Sequence, residues 1–216
     1  MRLEELKALQ AIDHEAILSR MIDPIGTELQ TMQDQIAGMA TIEFEERTIE
    51  LPGYSRHLEI LLKAIALFKD KKKKNVMPLQ FATIEDITIE QLRPEIFGLD
   101  TFSVDVTAVG TVNIIPTGAG VHELTKDEEV IVLLGFIEYA TTPIITAIQI
   151  TADEEKYKPV EVRHHLFNGI SVYPLDYPII VNVSLDIDAK AEATGTTKLT
   201  PYGLHIALGS KIPDLT

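Results

Sequence analysis

The sequence contains no cysteine and no tryptophan among its 216 residues. The lack of cysteine excludes a disulfide framework, an iron–sulfur cluster, a zinc site with thiolate ligands and a cysteine nucleophile. No apolar run approaches the roughly 20 residues of a membrane-spanning helix. The first ten residues alternate charged side chains with leucine instead of forming the apolar stretch of a signal peptide. These features predict a soluble chain without a signal peptide or a transmembrane segment.

The motifs that carry catalytic chemistry are missing as well. The sequence has no HExxH and no GxSxG, and no lysine with serine or threonine follows the glycines at 118 and 120. We therefore predict that the protein is not an enzyme and has no catalytic residue, no cofactor and no metal. Asp186 and Asp188 share one face of a strand and could join residues 153–155 around calcium, but a solvated sheet face gives the same pattern.

The sequence has 45% hydrophobic and 24% charged residues, as is typical of a globular protein. Its formal net charge is −14, and the charge is uneven: residues 1–74 carry −2 and residues 75–216 carry −12. An acidic surface repels phosphate backbones and anionic lipid headgroups. The C-terminal part is therefore not expected to bind nucleic acid or membrane.

Helical periodicity dominates the first 74 residues. Apolar residues recur every three or four positions in three stretches, at about 3–17, 25–39 and 55–68. Ser55 is the predicted N-cap of the third helix. Between the second and third helices, residues 41–51 alternate apolar and glutamate residues, which predicts a short strand or an extended connector.

From about residue 75 the period of the apolar pattern changes to two, which indicates β-strands. Strands are predicted at 102–107, 130–139, 144–151, 157–163, 179–187, 189–194 and 202–208. The turns between the later strands are assigned to Pro174, Asp176, Pro178, Gly195, Thr196, Thr197, Pro201 and Gly203. Residues 153–156 fit a hairpin turn, and residues 84–99 fit a strand followed by a short helical turn.

The sequence thus predicts an α+β protein with two regions. Residues 1–75 form a helical assembly arm or small helical region, and residues 76–216 form an antiparallel β-sandwich, with a jelly roll as one candidate topology. No second set of helices alternates with the strands, which disfavours a parallel α/β fold. Three short amphipathic helices make a thin core on their own, so we expect them to pack on the sandwich or on other copies of the chain.

Two candidate contact sites lie in the third helix. Its apolar stripe is a candidate subunit interface, formed by Leu58, Leu61, Leu62, Ile65 and Phe68. Its end carries five of the 19 cationic residues of the chain within six positions, namely Lys69, Lys71, Lys72, Lys73 and Lys74. These lysines either contact an anionic partner, such as nucleic acid or a membrane, or only solvate the helix end and oppose its dipole.

The last strand allows a sharper prediction. Tyr202, Leu204 and Ile206 alternate with Gly203 and His205, so one face of this strand is committed to the core. We expect Ile206→Asp to unfold the protein. We expect His205→Asp, on the opposite face, to be tolerated unless that face meets a neighbouring subunit.

A helical arm, a cationic segment and an acidic β-sandwich without a catalytic motif together resemble virion structural proteins, such as the capsid or other particle-building subunits of phages and archaeal viruses. The resemblance covers the overall architecture and carries no residue roles. It implies a non-enzymatic, self-assembling protein of the virion that is built in the host cytoplasm. Its partners would be further copies of itself and other virion proteins.

A β-sandwich module that binds carbohydrate or another ligand is the alternative function. Sugar-binding platforms use exposed tryptophan or tyrosine rings, and this chain has no tryptophan and 6 tyrosines. That scarcity of aromatic residues makes the alternative the weaker of the two.

Overall fold

The computed structural model describes residues 30–44, 46–75, 87–116, 120–124, 128–139, 144–162 and 170–208. The side chains of residues 44 and 69–75 are not described, although the backbone there is. The helix predicted at 3–17 lies outside the described residues, as does most of the segment around the predicted boundary between residues 75 and 76.

The described residues from 30 to 75 form helices and one small hairpin. Residues 30–38 form helix α1. The hairpin pairs strands β1 and β2 in antiparallel register, and two further helices follow it. These elements are β1 (Thr41–Phe44), β2 (Arg47–Glu50), α2 (Pro52–Arg56) and α3 (Leu58–Asn75).

The rest of the described chain consists mostly of antiparallel strands, as the period-two pattern predicts. A short 3₁₀ helix at Pro94–Phe97 follows the first of them. The strands are β3 (Ile87–Gln91), β4 (Ser103–Val106), β5 (Gly110–Ile115), β6 (His122–Glu123), β7 (Glu129–Tyr139), β8 (Ile145–Ala152), β9 (Glu155–Lys156), β10 (Val160–Glu161), β11 (Ile170–Val181), β12 (Ser184–Ala191) and β13 (Gly195–Leu208).

The strands form two sheets that face each other. One sheet has the order β11-β7-β13-β3, and β4 pairs with the other end of β13. The second sheet has the order β10-β8-β12-β5, with β6 paired to β12 and β9 paired to β8. The predicted α+β fold with an antiparallel β-sandwich is confirmed, and the jelly-roll topology stays a prediction.

The five-stranded sheet is covered on both faces. Its inner face packs on the other sheet in a core that includes Ile131, Leu133 and Phe136. Its outer face packs on the helices in a second core that includes Val132 and Leu134. Every residue of β7 between its two ends is therefore buried, which explains the continuous apolar run in the sequence.

A bulge in β7 switches which residues face which core. Gly135 pairs with Tyr202 and Leu133 pairs with Gly203, so Leu134 has no opposite residue in β13. Only glycine fits at position 135, because a Cβ there would lie 2.5 Å from the carbonyl oxygen of Tyr173. Beyond the bulge the odd-numbered Ile137 faces the helices, whereas the even-numbered residues face them before it.

Several predicted element ends are wrong. The third helix does not begin at Ser55: α2 precedes it, the chain turns at His57, and α3 continues through the lysines to Asn75. The residues assigned to turns at 174–178 and 195–203 lie inside β11 and β13. The predicted strand at 179–187 is instead divided by a turn at residues 182 and 183.

Candidate functional site

Helix α3 uses one face to hold the helical layer on the sheet. Leu61, Ala64, Ile65 and Phe68 follow the spacing of three and four that places side chains on one side of a helix. All four are buried against the outer face of the five-stranded sheet. Complete burial of each large apolar side chain contributes roughly 1.5–3 kcal/mol, so this contact is a major part of the stability of the helical layer.

This packing uses residues that the sequence indicated as a subunit interface. Leu61, Ile65 and Phe68 are almost completely buried within their own chain, and Leu58 and Leu62 are half-buried beside them. These five side chains therefore already have a partner in the single chain. Their contact with a second copy stays a prediction.

The exposed side of α3, which we call its outer face, displays two large apolar side chains about a quarter turn from the buried stripe. Ile60 is 38% exposed and Leu67 is 61% exposed. They are seven residues apart, which is about two helical turns, so both lie on the same side of the helix. The exposed ion pair of Lys63 and Glu59, with 2.6 Å between Nζ and Oε1, lies in the same part of the helix. This outer face is the part of α3 that a second molecule can reach.

The lysine run, which we define as Lys69 to Lys74, lies in the last turns of α3. The helix thus carries the cationic residues on its C-terminal end, where a positive charge meets the negative end of the helix dipole. Either interpretation of the run, as an anionic-partner contact or as a solvated helix end, is compatible with this position.

An open groove of about 630 Å³ lies between an edge strand of each sheet. We call it the β10–β11 groove. Its size falls in the range of ligand sites in proteins. The apolar walls come from the segment that leads into β10 and from the middle of β11, and they consist of Tyr157, Pro159, Val160, Pro174, Leu175 and Tyr177.

The β11 wall of the groove bulges away from the sheet. Pro174 pairs with Gly135 and Ile179 pairs with Leu133, so the residues between Pro174 and Ile179 make no ladder pairs. Tyr177 lies in this bulge and is 76% exposed. Arg56, at the end of α2, donates a hydrogen bond from Nη2 to the carbonyl oxygen of Asp176 at 3.0 Å. The helical layer thus holds the rim of the groove.

The groove carries charged side chains of both signs. Glu161, Asp176 and Lys158 line it. Burial raises the pKa of Tyr157, and the negative charges of Glu155 and Asp153 raise it further, which places those carboxylates near the ring. Prolines within a strand mark an edge, so the two prolines of β11 are the sequence signal that could have indicated this open edge.

Partly buried ionisable side chains surround the buried His205. His205 is 1% exposed, and its ring nitrogens lie 3.0 Å from Glu90 Oε1 and 3.1 Å from Glu129 Oε2. Arg93 donates to the other oxygen of Glu90 at 2.5 Å. Burial lowers the pKa of His205, but the hydrogen bonds and charges of Glu129 and Glu90 outweigh it, so the net pKa is raised. The expectation that His205 lies on a tolerant face is wrong.

Two of the carboxylates considered for calcium bind other groups of the chain. Asp153 accepts hydrogen bonds from the backbone N–H groups of Asn182, Val183 and Ser184 and so holds the β11–β12 turn. Asp188 instead accepts a hydrogen bond from Asn113 on the neighbouring strand. No group of three or more potential metal ligands occurs among the described residues. In the same part of the chain, no helix is long and apolar enough to cross a membrane.

Comparisons with known proteins identify no family for this chain. No protein-family model matches the chain, and no curated protein matches it. One solved structure, described as the structure of infectious bursal disease virus Gt strain, contains a similar chain with 12% sequence identity and a TM-score of 0.33. The similarity covers 64% of this chain and 38% of that chain. At this TM-score the likeness carries no conclusion about function.

Proposed function

We propose that this chain is a non-enzymatic, self-assembling structural subunit of a virus particle. In the finer form of the proposal, the particle belongs to a phage or an archaeal virus and is assembled in the host cytoplasm. The observation that carries the proposal is the exposed apolar surface of helix α3: one face of the helix packs on the sheet, and Ile60 and Leu67 remain exposed beside that face.

Contact with a second copy would remove this apolar surface from water. A large apolar side chain gains up to roughly 1.5–3 kcal/mol when it becomes completely buried, so covering Ile60 and Leu67 favours association. A second copy is the occupant that the self-assembly proposal requires. The two cores of the chain are already filled from within, which leaves the outer surfaces for contacts with neighbours.

The three-layer architecture suits a building block. The five-stranded sheet is fixed between the helical layer and the other sheet, so neither of its faces can shift without loss of a core. A stiff unit lets contacts at separate surface sites define one geometry of assembly. The lysine run would supply a further contact with an anionic partner.

The double variant Ile60→Asp with Leu67→Asp tests the self-assembly proposal. Light scattering after size-exclusion chromatography should give a mass several times 24.0 kDa for the unmodified chain and a mass close to 24.0 kDa for the variant. Negative-stain electron microscopy should show regular closed or tubular particles only for the unmodified chain.

Val109→Asp is the matched control, because Val109 is also exposed but lies between β4 and β5. It should keep the assembly. If the unmodified chain assembles and the α3 variant retains that assembly, the outer face of α3 is not the contact. If the unmodified chain is a monomer at all concentrations, the proposed function is wrong.

The β10–β11 groove is the observation that favours the alternative, a carbohydrate-binding module. An exposed tyrosine ring beside carboxylates can stack on a sugar and accept hydrogen bonds from its hydroxyl groups. Calorimetric titration with neutral oligosaccharides, such as maltose and cellobiose series, tests this function. Binding by a monomeric chain that is lost in Tyr177→Ala would support the alternative over assembly.

A further inference from the structure

We infer that His205 is a pH-sensitive lock on strand β3, which is closed while the imidazole is protonated and opens when the pH rises and the ring loses its proton. The lock consists of three side chains from adjacent strands, namely Glu90 of β3, His205 of β13 and Glu129 of β7. All three belong to one chain, so the lock operates in a monomer as well as in an assembly.

The imidazole of His205 lies between two carboxylates. Nδ1 is 3.0 Å from Glu90 Oε1, and Nε2 is 3.1 Å from Glu129 Oε2. An ionised carboxylate only accepts hydrogen bonds, so both ring nitrogens must carry a proton if both bonds are to form. The geometry therefore fits the imidazolium ion, which donates from both nitrogens.

The lock is largely shielded from water. His205 is 1% exposed, and the side chains of Glu90 and Glu129 are 17% and 14% exposed. Partly buried charges are screened by solvent and salt much less than exposed ones. The charge of the ring is therefore balanced mainly by the two carboxylates, and its loss changes the energy of the whole site.

Two further described groups that carry or can carry a charge lie beside the lock. Arg93, which follows β3, donates from Nη2 to Glu90 Oε2 at 2.5 Å. His122 on β6 of the other sheet interacts with the charges of Glu129 and His205, and burial is the main cause of its lowered pKa. While His122 is neutral, Arg93 and the His205 imidazolium balance the two carboxylates. Deprotonation of His205 leaves one negative charge in excess.

Loss of the proton makes one of the two ring contacts repulsive. A neutral imidazole donates from one nitrogen and presents a lone pair at the other. Glu90 also accepts a hydrogen bond from Arg93, so its charge stays compensated without the ring. The remaining ring proton therefore goes to Glu129, and the lone pair of Nδ1 faces Glu90.

Strand β3 is the element that can respond to this repulsion. It ends the strand order of the five-stranded sheet, and in the described part of the chain it pairs only with β13. Glu90 and His205 are opposite each other in that pairing. The strands β13 and β7 instead have neighbours on both sides. An edge strand opens at a lower free energy than a central one, so the repulsion loosens β3 first.

Opening of β3 also reaches the helical layer. Ile87 and Ile89 of β3 pack against the core between the sheet and the helices. Gln91, at the end of β3, donates a hydrogen bond from Nε2 to the carbonyl oxygen of Met39 at 2.9 Å. The protonation of one buried ring thus controls how firmly the helices are held at this edge of the sheet.

Hydrogen–deuterium exchange of the full-length chain at about pH 6 and about pH 9 tests the lock. Protection factors are compared, because they remove the pH dependence of the chemical exchange itself. The amides of β3 should lose at least about tenfold in protection at the higher pH, since a proton bound about ten times more tightly by the closed form favours closure by that factor. The amides of β8 and β12 should lose far less. Equal protection of β3 at both pH values would overturn the inference.

Three variants assign the effect to the ring. His205→Gln removes the titrating group, so the protection of β3 should be the same at both pH values. Glu90→Gln replaces the repelled carboxylate with an amide that can donate to the neutral ring, so β3 should stay protected at about pH 9. His57→Gln is the matched control, because His57 is also buried but lies between α2 and α3, and it should keep the full pH dependence. A pH dependence that persists in His205→Gln, or that only His122→Gln removes, would mean that His205 is not the lock.

Nuclear magnetic resonance of the His205 ring provides a readout that needs no variant of this residue. The chemical shifts of the two ring nitrogens should show a doubly protonated ring at about pH 6 and a neutral ring with its proton on Nε2 at about pH 9. A ring that keeps one protonation state over this range would contradict the inference even if a variant fails to fold.

Discussion

Tyr54 in helix α2 donates a buried hydrogen bond from Oη to the carbonyl oxygen of Gly203 at 2.6 Å, although the two residues are 149 positions apart. The bond joins the helical layer to the bulge at which β13 and β7 change register. The same carbonyl accepts a hydrogen bond from the backbone N–H of Leu92 at 3.3 Å. One oxygen thus connects the helices, β13 and the segment after β3.

Removal of the Tyr54 hydroxyl should weaken this junction. Tyr54→Phe keeps the ring in the core but deletes the donor, while Leu92 continues to satisfy the Gly203 carbonyl. We expect a loss of about 1 kcal/mol in the free energy of unfolding, measured by urea denaturation. Tyr177→Phe is the control and should change nothing, because Tyr177 is largely exposed. Equal stability of the two variants would contradict the structural role of the bond.

A methyl group at position 203 should be far more damaging. A Cβ on Gly203 would lie 2.0 Å from the carbonyl oxygen of Val132, so the two strands must separate. We expect Gly203→Ala to lower the free energy of unfolding by about 1–3 kcal/mol or to prevent folding. At Gly38 a Cβ has no neighbour within 4 Å, so Gly38→Ala in helix α1 should be neutral or stabilising. A neutral effect at position 203 would show that the bulge is misplaced.

Asp153 should make stability depend on acidic pH. Burial by itself raises the pKa of this carboxyl group, but the hydrogen bonds donated by Asn182, Ser184 and Val183 together outweigh burial and lower it. A carboxyl group whose pKa is lowered in the folded state stabilises the fold. This contribution to the free energy of unfolding is present above the unfolded pKa of about 3.9 and is lost as the pH falls through the folded pKa.

Asp153→Asn should therefore lower the free energy of unfolding by about 1–3 kcal/mol at neutral pH. The difference between the two proteins should shrink as the pH falls below about 4. Urea denaturation from neutral pH down to about pH 3 measures both effects. A difference that stays constant over this range would mean that the negative charge of Asp153 does not hold the turn.

His205 should give the opposite pH dependence. Its pKa is raised despite burial, because Glu129 and Glu90 bond to the ring. Arg93 also bonds to Glu90, and His122, whose own pKa is lowered first by burial, adds a nearby positive charge when it is protonated. A group whose pKa is raised in the folded state stabilises the fold when it is protonated. Its contribution to the free energy of unfolding is complete below the unfolded pKa of about 6.5 and is lost as the pH rises through the folded pKa.

The unmodified chain should accordingly exceed His205→Gln in stability most clearly below about pH 6.5, with a smaller difference at higher pH. Thermal melts across this range provide the measurement. His205→Asp should prevent folding, because it would place a third carboxylate between Glu90 and Glu129 in a buried site. Tolerance of that variant would show that the side chain is not enclosed.

The sequence was sufficient for those parts of the fold that follow from local patterns. Apolar runs identified β7 and β8, period-two alternation identified the core side of β13, and helical spacing identified the buried face of α3. The prolines and the glycine at 174–178 and 201–203 were wrongly interpreted as turn residues. A bulge accommodates them inside the long strands β11 and β13. The divided strand at 182–183 has neither residue, and its turn depends on Asp153 from a distant hairpin.

The candidate sites depended even more on tertiary contacts. The stripe from Leu58 to Phe68 is correctly amphipathic, but the sequence could not show whether the sheet of the same chain or another copy covers it. The role of His205 arises from cross-strand neighbours on β3 and β7, which no local pattern reveals. The β10–β11 groove likewise combines segments from the edges of two sheets.

Sedimentation velocity of the unmodified full-length chain, over concentrations from the low micromolar to the hundred-micromolar range, tests self-assembly most directly. A structural subunit should sediment as species well above 24.0 kDa that grow with concentration. A single species of 24.0 kDa across the whole range would contradict the proposal that this chain builds a particle.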